Sequence, residues 1–218
     1  PEDIITLEQL NLPKAIESLC HLQSGLVLVT GPTGSGKSTT LAAMVDHINR
    51  NFARHVVTLE DPVEFVHQNR MSVFSHREVG NHTKEFGPGL RAAIRQDADV
   101  ILVGEMRDFE TIETALTAAE TGHLVMSTLH TLDATETINR IISVFPPYQQ
   151  KQVRLQLSTV LKAVISQRLV PRADGRGRVP ALEVLVSTGL VRELIADKER
   201  TKELSDAIAK GYTTYGMQ

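Results

Sequence analysis

The chain has 218 residues, of which 41% are hydrophobic and 22% charged, a balance typical of a globular protein rather than a disordered one. Its 23 Lys and Arg residues and 26 Asp and Glu residues give a formal net charge of −3, which argues against broad adhesion to nucleic acid or anionic lipid. The single cysteine, Cys20, excludes an internal disulfide framework and any zinc site built from several cysteines, and it favours a reducing, cytoplasmic setting.

Short apolar runs alternate with helical patterns along the chain, which predicts an α/β fold of parallel strands joined by crossover helices. The predicted strands are Leu26–Thr30, His55–Leu59, Met71–Phe74, Val100–Val103 and Leu124–Thr128. The predicted helices are Pro13–Leu22, Lys37–Arg50, Pro88–Gln96, Phe109–Thr121, Ala134–Val144 and Tyr148–Arg168. Beyond them, "RLVPRADGRGRVPALEVLV" predicts a hairpin that turns at Asp174–Gly177, and two more helices are predicted near Thr188–Ile195 and Lys198–Lys210.

This order of elements predicts one domain over residues 1–218, with a core over about 1–170 and a hairpin and C-terminal helices over 171–218. The chain begins at Pro1 rather than at a methionine, so we expect it to be part of a longer protein. No apolar run approaches the roughly 20 residues that a membrane-spanning helix needs, and we expect no direct membrane insertion.

The stretch "GPTGSGKSTT" lies between a predicted strand and a predicted helix, and it matches the pattern G-x-x-x-x-G-K-[ST]. Its glycines let backbone N–H groups converge on phosphate oxygens, and the following helix adds its N-terminal dipole. Lys37 supplies a positive charge for the β- and γ-phosphates, and the Ser38 hydroxyl is a candidate Mg²⁺ ligand. A chance glycine-rich turn is the alternative, but the strand, loop and helix lie where phosphate binding needs them. The predicted nucleotide-binding residues are Gly31, Pro32, Thr33, Gly34, Ser35, Gly36, Lys37, Ser38 and Thr39.

Acidic residues follow two of the predicted strands, and phosphoryl transfer needs both a metal ligand and a group that orients the nucleophile. Glu105 follows Val100–Val103 in "DVILVGEMRD", the position of an acid that reaches Mg²⁺ directly or through water. Glu60, Asp61 and Glu64 in "TLEDPVEF" repel one another unless a cation or hydrogen-bond donors compensate. We expect Glu64 to turn toward the γ-phosphate. Ordinary solvated acids at strand ends are the alternative for both groups.

Two histidines, at 123 and 130, flank the next predicted strand in "TGHLVMSTLHT". Together with "GPTGSGKSTT", "TLEDPVEFVH", "LRAAIRQDADVILVGEMRD" and "SVFPPYQQKQVR", they make the chain resemble the type II/IV secretion ATPase superfamily over nearly its whole length. Within that superfamily, the chain is most similar to the type IV pilus retraction ATPases of the PilT type. The resemblance implies a RecA-like P-loop ATPase core with a helical C-terminal extension.

The resemblance also implies roles for individual residues. Glu64 matches the catalytic residue that polarises the attacking water, and Glu105 matches the acid of an atypical Walker B motif. His130 matches a sensor of the γ-phosphate, and His123 matches a residue that supports the site. The implied cofactors are ATP and Mg²⁺, the metal being held by Ser38 and Glu105. The implied activity is ATP hydrolysis that powers pilus retraction and twitching motility.

Members of this family work as hexameric rings on an inner-membrane platform protein of the pilus. The resemblance therefore implies a homo-hexamer, a cytoplasmic location peripheral to the inner membrane, and no nucleic-acid partner. The family also has an N-terminal PAS-like domain, which we expect this chain to lack. Four arginines are candidates to reach a phosphate of the same or a neighbouring subunit: Arg91, Arg95, Arg107 and Arg140.

Several alternatives stay open at this point. The retraction signature of the family appears here as "LVRELIAD", with Glu193 and Ala196 where Asn and Arg are usual, so a PilU-type relative is possible. Extension and secretion ATPases usually carry a four-cysteine insertion, which a chain with one cysteine lacks. A DNA-translocating RecA-like motor would need a basic channel, and a small-molecule kinase would need an acceptor pocket and a lid. A nucleotide-dependent assembly module would differ only in its negligible turnover.

Overall fold

The computed structural model describes residues 3–217, in which strands and helices alternate over most of the range. The strands are β1 (Gly25–Thr30), β2 (His55–Glu60), β3 (Val73–Glu78), β4 (Val100–Val103), β5 (Leu124–Leu129), β6 (Leu161–Pro171) and β7 (Arg178–Val186). The helices are α1 (Leu7–Leu10), α2 (Lys14–Leu19), α3 (Lys37–Asn51), α4 (Phe86–Arg95), α5 (Phe109–Glu120), α6 (Ala134–Ser143), α7 (Pro147–Val160), α8 (Gly189–Ala196), α9 (Leu204–Lys210) and α10 (Tyr212–Tyr215), with a 3₁₀ turn at Thr201–Glu203. Pro1, on which the expectation of a longer protein rests, lies outside the described residues.

The seven strands form one sheet in the order β3-β2-β4-β5-β1-β6-β7. Neighbouring strands are parallel except for β6 and β7, which form the predicted antiparallel hairpin. The α/β class with a mainly parallel sheet is therefore confirmed. No helix within the described residues combines the length and the hydropathy that crossing a membrane requires.

Each face of the sheet carries a hydrophobic core. In β1, Leu26 and Leu28 belong to one core, whereas Val27 and Val29 belong to the other, because successive side chains of a strand point to opposite faces. Helices α4 to α9 contribute to the first core, and α1 to α3 contribute to the second. Strands buried on both faces read as continuous apolar runs, which is why the sequence reveals β1, β4 and β5 so plainly.

Short polar side chains begin helices α5 and α6. The Asp108 carboxylate accepts a hydrogen bond from the backbone N–H of Thr111 at the start of α5 (3.1 Å). The Asp133 carboxylate does the same for Glu136 at the start of α6 (2.8 Å). Each cap satisfies one of the free N–H groups in the first turn of its helix. The predicted starts at Phe109 and Ala134 agree with the structure.

The predicted helix Tyr148–Arg168 is wrong beyond Val160. Helix α7 ends at Val160, and β6 begins at Leu161 with no loop between them. No glycine or proline marks this boundary. Over so short a run, the apolar residues of "LKAVISQR" fit the period of a helix as well as that of a strand. In the structure, Val164 lies in one core and Ile165 in the other, as a strand requires. Pairing with β1 on one side and β7 on the other decides the conformation.

The third strand also differs from its prediction, because it begins at Val73 and runs on to Glu78, four residues past the predicted end. Its last residues, "SHRE", are polar, and they are accommodated because β3 is an edge strand with one partner, β2. An edge strand is only partly covered, so its sequence lacks the continuous apolar run that identifies the central strands.

The predicted C-terminal extension shares the main core rather than forming a separate layer. Strand β7 completes the sheet, and Leu194 and Leu204 are buried in the same core as Leu28. Arg154 of α7 fastens this region, since its Nη1 donates hydrogen bonds to the carbonyl of Ile195 (3.2 Å) and to the hydroxyl of Thr201 (2.8 Å).

We expect Arg154→Met to lower the free energy of unfolding by about 1–3 kcal/mol, because it leaves a buried carbonyl and hydroxyl without their donor. Urea unfolding followed by circular dichroism measures the change. Arg140→Met on α6 is the matched control, since Arg140 is exposed and its replacement should change stability by less than about 0.5 kcal/mol. Equal losses in the two variants would contradict the role of Arg154.

Candidate active site

The carboxyl ends of five parallel strands, β1, β2, β4, β5 and β6, meet at one edge of the sheet and open into a cavity of about 500 Å³. The register aligns Thr30 of β1 with Leu129 of β5 and with Ser166 of β6. The residues that follow these three positions are consequently neighbours, and they are Gly31, His130 and Gln167. Ligands of open α/β sheets bind outside the carboxyl ends of the strands, so this edge is the expected place for a site.

The glycine-rich loop after β1 packs tightly against β6. Gly31 has φ 152°, and a Cβ there would lie 2.2 Å from the carbonyl oxygen of Gln167. Gly36, at the start of α3, has φ 89°, and a Cβ there would lie 2.8 Å from the Gln167 side-chain nitrogen. Gln167 is itself fixed, since its Oε1 accepts a hydrogen bond from the Thr40 hydroxyl (2.7 Å). Both glycines are therefore required by backbone conformation and by space.

Lys37 lies under this loop and is nearly buried. Its Nζ donates hydrogen bonds to the backbone carbonyls of Gly31 (2.7 Å) and Pro32 (3.1 Å), and it lies 3.2 Å from Nδ1 of His130. Burial lowers the pKa of the Lys37 ammonium, while the nearby Glu105 carboxylate opposes that shift. The ammonium thus occupies a place where further oxygen acceptors would be favourable.

His130 and Glu105 extend a chain of polar contacts that starts at Lys37. Because the Lys37 ammonium can only donate, Nδ1 of His130 accepts and its Nε2–H donates to Oε1 of Glu105 (2.7 Å). The other carboxylate oxygen of Glu105 pairs with Nη2 of Arg107 (2.5 Å). The result is a chain from the phosphate loop to Arg107, whose side chain is 76% exposed at the cavity mouth.

The acidic group after β2 lines the same cavity, and Glu64 is on the same side of the sheet as Lys37. Glu64 and Asp61 are exposed, whereas Glu60 is largely covered. Burial raises the pKa of Glu60 to about 7, and the neighbouring Glu64 carboxylate adds to the effect. Within residues 3–217, Oε2 of Glu60 has no hydrogen-bond partner. The carboxylates of Glu60, Asp61 and Glu64 thus line the same cavity as the positively charged side chains of Lys37 and Arg107.

Ser38 and Thr39 line the cavity at the first turn of α3, beside Gly34 and Gly36 of the loop. Ser38 and Glu105 both reach the cavity, one with a hydroxyl and the other with a carboxylate, and these are oxygen ligands of the kind that Mg²⁺ takes. The donor set therefore fits the magnesium ion that the sequence predicts.

The structure places His123 away from the cavity, since it is not among the residues that line it. His123 precedes β5, whereas His130 follows it, so roughly 20 Å of extended strand separates the two side chains. Nδ1 of His123 lies 2.5 Å from the carbonyl oxygen of Ala98, at the opposite edge of the sheet. Within this chain, His123 supports the turn before β5 and not the site.

Of the four candidate arginines, Arg107 lines the cavity. Arg91 is paired with Glu110 on the neighbouring helix, and Arg95 and Arg140 are exposed elsewhere. Sequence reasoning did not separate Arg107 from the others, although its position two residues after Glu105 was a usable signal. Gln167 was missed because it fell inside the wrongly predicted end of α7.

Comparison with known proteins identifies the relatives of this chain. Residues 6–214 match the family model described as "Type II/IV secretion system protein". The chain belongs to this family. The resemblance drawn from the motifs is confirmed.

Individual members of the family are similar over the whole chain. It is 50% identical over 218 residues to a twitching motility protein of Neisseria gonorrhoeae, matching 100% of this chain and 58% of that protein. It is 48% identical over 218 residues to the type IV pilus retraction ATPase PilT of Pseudomonas aeruginosa, matching 100% of this chain and 62% of that protein. The chain thus spans about three fifths of the length of these relatives.

A solved structure of this family has the same fold. The crystal structure of the pilus retraction motor PilT with bound ADP superposes with a TM-score of 0.92 at 52% identity, covering 96% of this chain and 61% of that one. The fold of this chain is therefore that of the matching part of this retraction motor.

We expect Glu60→Gln to stabilise the chain more at pH 8.5 than at pH 5. The pKa of Glu60 is raised from 4.5 to about 7 by folding, so its ionisation costs stability that grows as the pH rises from 4.5 through 7. Glutamine removes that cost, and the gain should be larger at pH 8.5 by about 1–3 kcal/mol. Urea unfolding at the two pH values measures it.

Glu113→Gln is the control for this measurement, because Glu113 is exposed on α5 and should show less than about 0.5 kcal/mol of difference between the two pH values. An equal gain at both pH values for Glu60→Gln would mean that the glutamine acts through packing and not through ionisation.

Proposed function

We propose that this chain is the ATP-hydrolysing domain of a type IV pilus retraction motor. One observation carries the proposal: the phosphate loop with Lys37, the acids Glu64 and Glu105, and His130 all border a single cavity. Each comes from the carboxyl end of a different strand, so their meeting depends on the sheet and not on their order along the chain. The similarity to PilT proteins supports the same function.

The loop and Lys37 bind the triphosphate in this proposal. Lys37 now donates to two backbone carbonyls, and phosphate oxygens are stronger acceptors because they carry charge. The glycine backbone from Gly31 to Gly36 leaves room for close approach of the phosphates, and the N-terminus of α3 adds its dipole. Thr33, Ser35, Ser38 and Thr39 complete this binding loop.

A magnesium ion bound with the nucleotide would neutralise charge on the β- and γ-phosphates. Ser38 and Glu105 are the residues that would hold it. Each oxygen of Glu105 has one partner, His130 for one and Arg107 for the other, and each keeps a lone pair for a cation or for the water bound to it. Arg107 is the more exposed of the two partners, and its release leaves the His130 bond intact.

Glu64 orients the attacking water in the proposed reaction, and the fixed cations stabilise the charge that develops on the phosphoryl group. Glu64 is exposed to the cavity, so a water molecule can reach it. Glu60 lies nearby with a pKa of about 7 and an unpartnered oxygen, and it is the second carboxylate able to accept a proton at neutral pH.

His130 and Arg107 would link the nucleotide state to movement. Both residues contact Glu105, and His130 also contacts Lys37. A cation that binds Glu105, or a phosphate that binds Lys37, would therefore change the contacts of His130 and Arg107. Arg107 then becomes free to contact a phosphate. We propose that the chain acts as a homo-hexamer in the cytoplasm, docked on the pilus platform protein of the inner membrane. Changes in the contacts of His130 and Arg107 at the boundaries between subunits would then produce the force that retracts the pilus.

Two substitutions separate binding from turnover. We expect Lys37→Ala to weaken nucleotide binding at least about tenfold, because it removes the charge that faces the phosphates. Glu64→Gln should keep nucleotide affinity within about threefold and lower turnover about 100-fold or more, because it removes the group that activates water. Fluorescent-nucleotide binding and phosphate release measure the two quantities, with Glu113→Gln as the control.

Other outcomes of the same assay favour the rival functions. Undiminished hydrolysis by Glu64→Gln would remove Glu64 from the mechanism and direct attention to Glu60→Gln. Stimulation of turnover by DNA would favour a DNA-translocating motor, and transfer of phosphate to a cosubstrate would favour a kinase. Binding without measurable turnover by the intact protein would favour an assembly module.

A further inference from the structure

A group of three potential metal ligands lies far from the nucleotide cavity, between α2 and α3. Glu17 lies on α2, His21 follows the end of that helix, and His47 lies on the facing side of α3. Their ligand atoms all lie within 4.8 Å of one another, and Nε2 of His47 is 4.0 Å from Oε1 of Glu17. His47 is ten residues beyond Lys37, which is about 15 Å along the helix.

We propose that Glu17, His21 and His47 bind a divalent transition metal, with Zn²⁺ the best match, and that the ion ties α2 to α3. Two imidazole nitrogens and one carboxylate oxygen are donors that Zn²⁺ accepts, with bonds of about 2.0–2.2 Å. Tetrahedral bonds of that length bring the ligand atoms to about 3.3 Å from one another. The side chains must therefore close by about 1.5 Å at most, which rotations of exposed side chains provide.

The two imidazole rings are already arranged together. Their centroids are 5.8 Å apart with planes inclined by 29°, and the edge of Phe52 contacts the His21 ring at 4.9 Å. Within residues 3–217, neither ring makes a hydrogen bond to another protein group, so the ring nitrogens are available to a metal. The ring of His76, by contrast, is hydrogen-bonded to the Thr58 hydroxyl (3.0 Å).

The surrounding charge does not oppose a cation. Arg50, nearly one turn beyond His47, is paired with Asp46 through a contact of 2.9 Å, so its positive charge is compensated. The Glu17 side chain is 51% exposed and the His47 side chain 14% exposed, which leaves one side of the group open to solvent. A fourth ligand from water would complete the coordination, as in zinc sites with three protein ligands.

The proposed ion has a structural consequence. Helix α2 precedes the first strand, and α3 carries the phosphate loop at its other end. These helices are already joined through the hydrophobic core by Ile16 and Ile48. A metal bridge would add a bond at their exposed edge and stabilise the folded chain whether or not nucleotide is present.

Titration of the nucleotide-free chain with Zn²⁺ in the absence of Mg²⁺ tests the proposal. We expect one Zn²⁺ per chain by calorimetry, a rise in melting temperature, and a Co²⁺ absorption spectrum typical of four ligands. His21→Gln and His47→Gln should each weaken Zn²⁺ binding at least about tenfold while keeping the metal-free melting temperature. His82→Gln is the control, since His82 is exposed on a distant turn, where its Nδ1 accepts from the N–H of Glu78.

Three results would overturn the proposal. One is a Zn²⁺ titration with no binding and no rise in melting temperature. Another is an equal loss of binding in His82→Gln and His47→Gln, which would show adventitious binding to histidines in general. The third is loss of binding in His130→Gln but not in His47→Gln, which would place the ion in the nucleotide cavity. None of these results bears on ATP hydrolysis, so the two proposals fail independently.

Discussion

The parallel register around β1 is the constraint on which the site depends. Hydrogen bonding aligns Thr30 with Leu129 on one side and with Ser166 on the other, and the next residue of each strand enters the site. Gly31, His130 and Gln167 are therefore neighbours through the backbone, before any side chain makes a contact. A slip of one residue in either pairing would turn His130 or Gln167 to the other face of the sheet.

On this frame, the charged side chains neutralise one another in sequence. The Lys37 ammonium donates to two backbone carbonyls, and the ring of His130 lies between Lys37 and Glu105. Arg107 pairs with the same Glu105 carboxylate at the surface. A buried ammonium and a half-buried carboxylate are tolerated because each has partners at hydrogen-bond distance. Within the described residues, Glu60 has no such partner for one of its oxygens, and its burial raises its pKa to about 7.

The sequence predicts the parts of this arrangement that local pattern controls. Continuous apolar runs identify β1, β4 and β5, and the spacing of Gly31, Gly36 and Lys37 identifies the phosphate loop. It does not predict where α7 gives way to β6, because pairing with two distant strands decides that boundary and no local residue marks it.

The directions of long side chains are equally hidden. The fold brings Arg107 to the cavity, and in the sequence its position two residues after Glu105 is what sets it apart from the other three candidate arginines. His123 is a different case, because the pattern itself indicates its place. Two histidines that flank one strand lie at opposite edges of the sheet, and the six residues between 123 and 130 set that separation.

The direct junction of α7 with β6 makes the phosphate loop part of a mechanical linkage. Arg154 joins α7 to the C-terminal helices through its hydrogen bond to Ile195. Helix α7 ends at Val160, where β6 begins, and Gln167 of β6 is hydrogen-bonded to Thr40 and packs against Gly31. Because no loop separates α7 from β6, a displacement of the C-terminal helices would be transmitted through β6 to the phosphate loop. The same contacts connect the phosphate loop, through Gln167 and β6, back to α7 and the C-terminal helices.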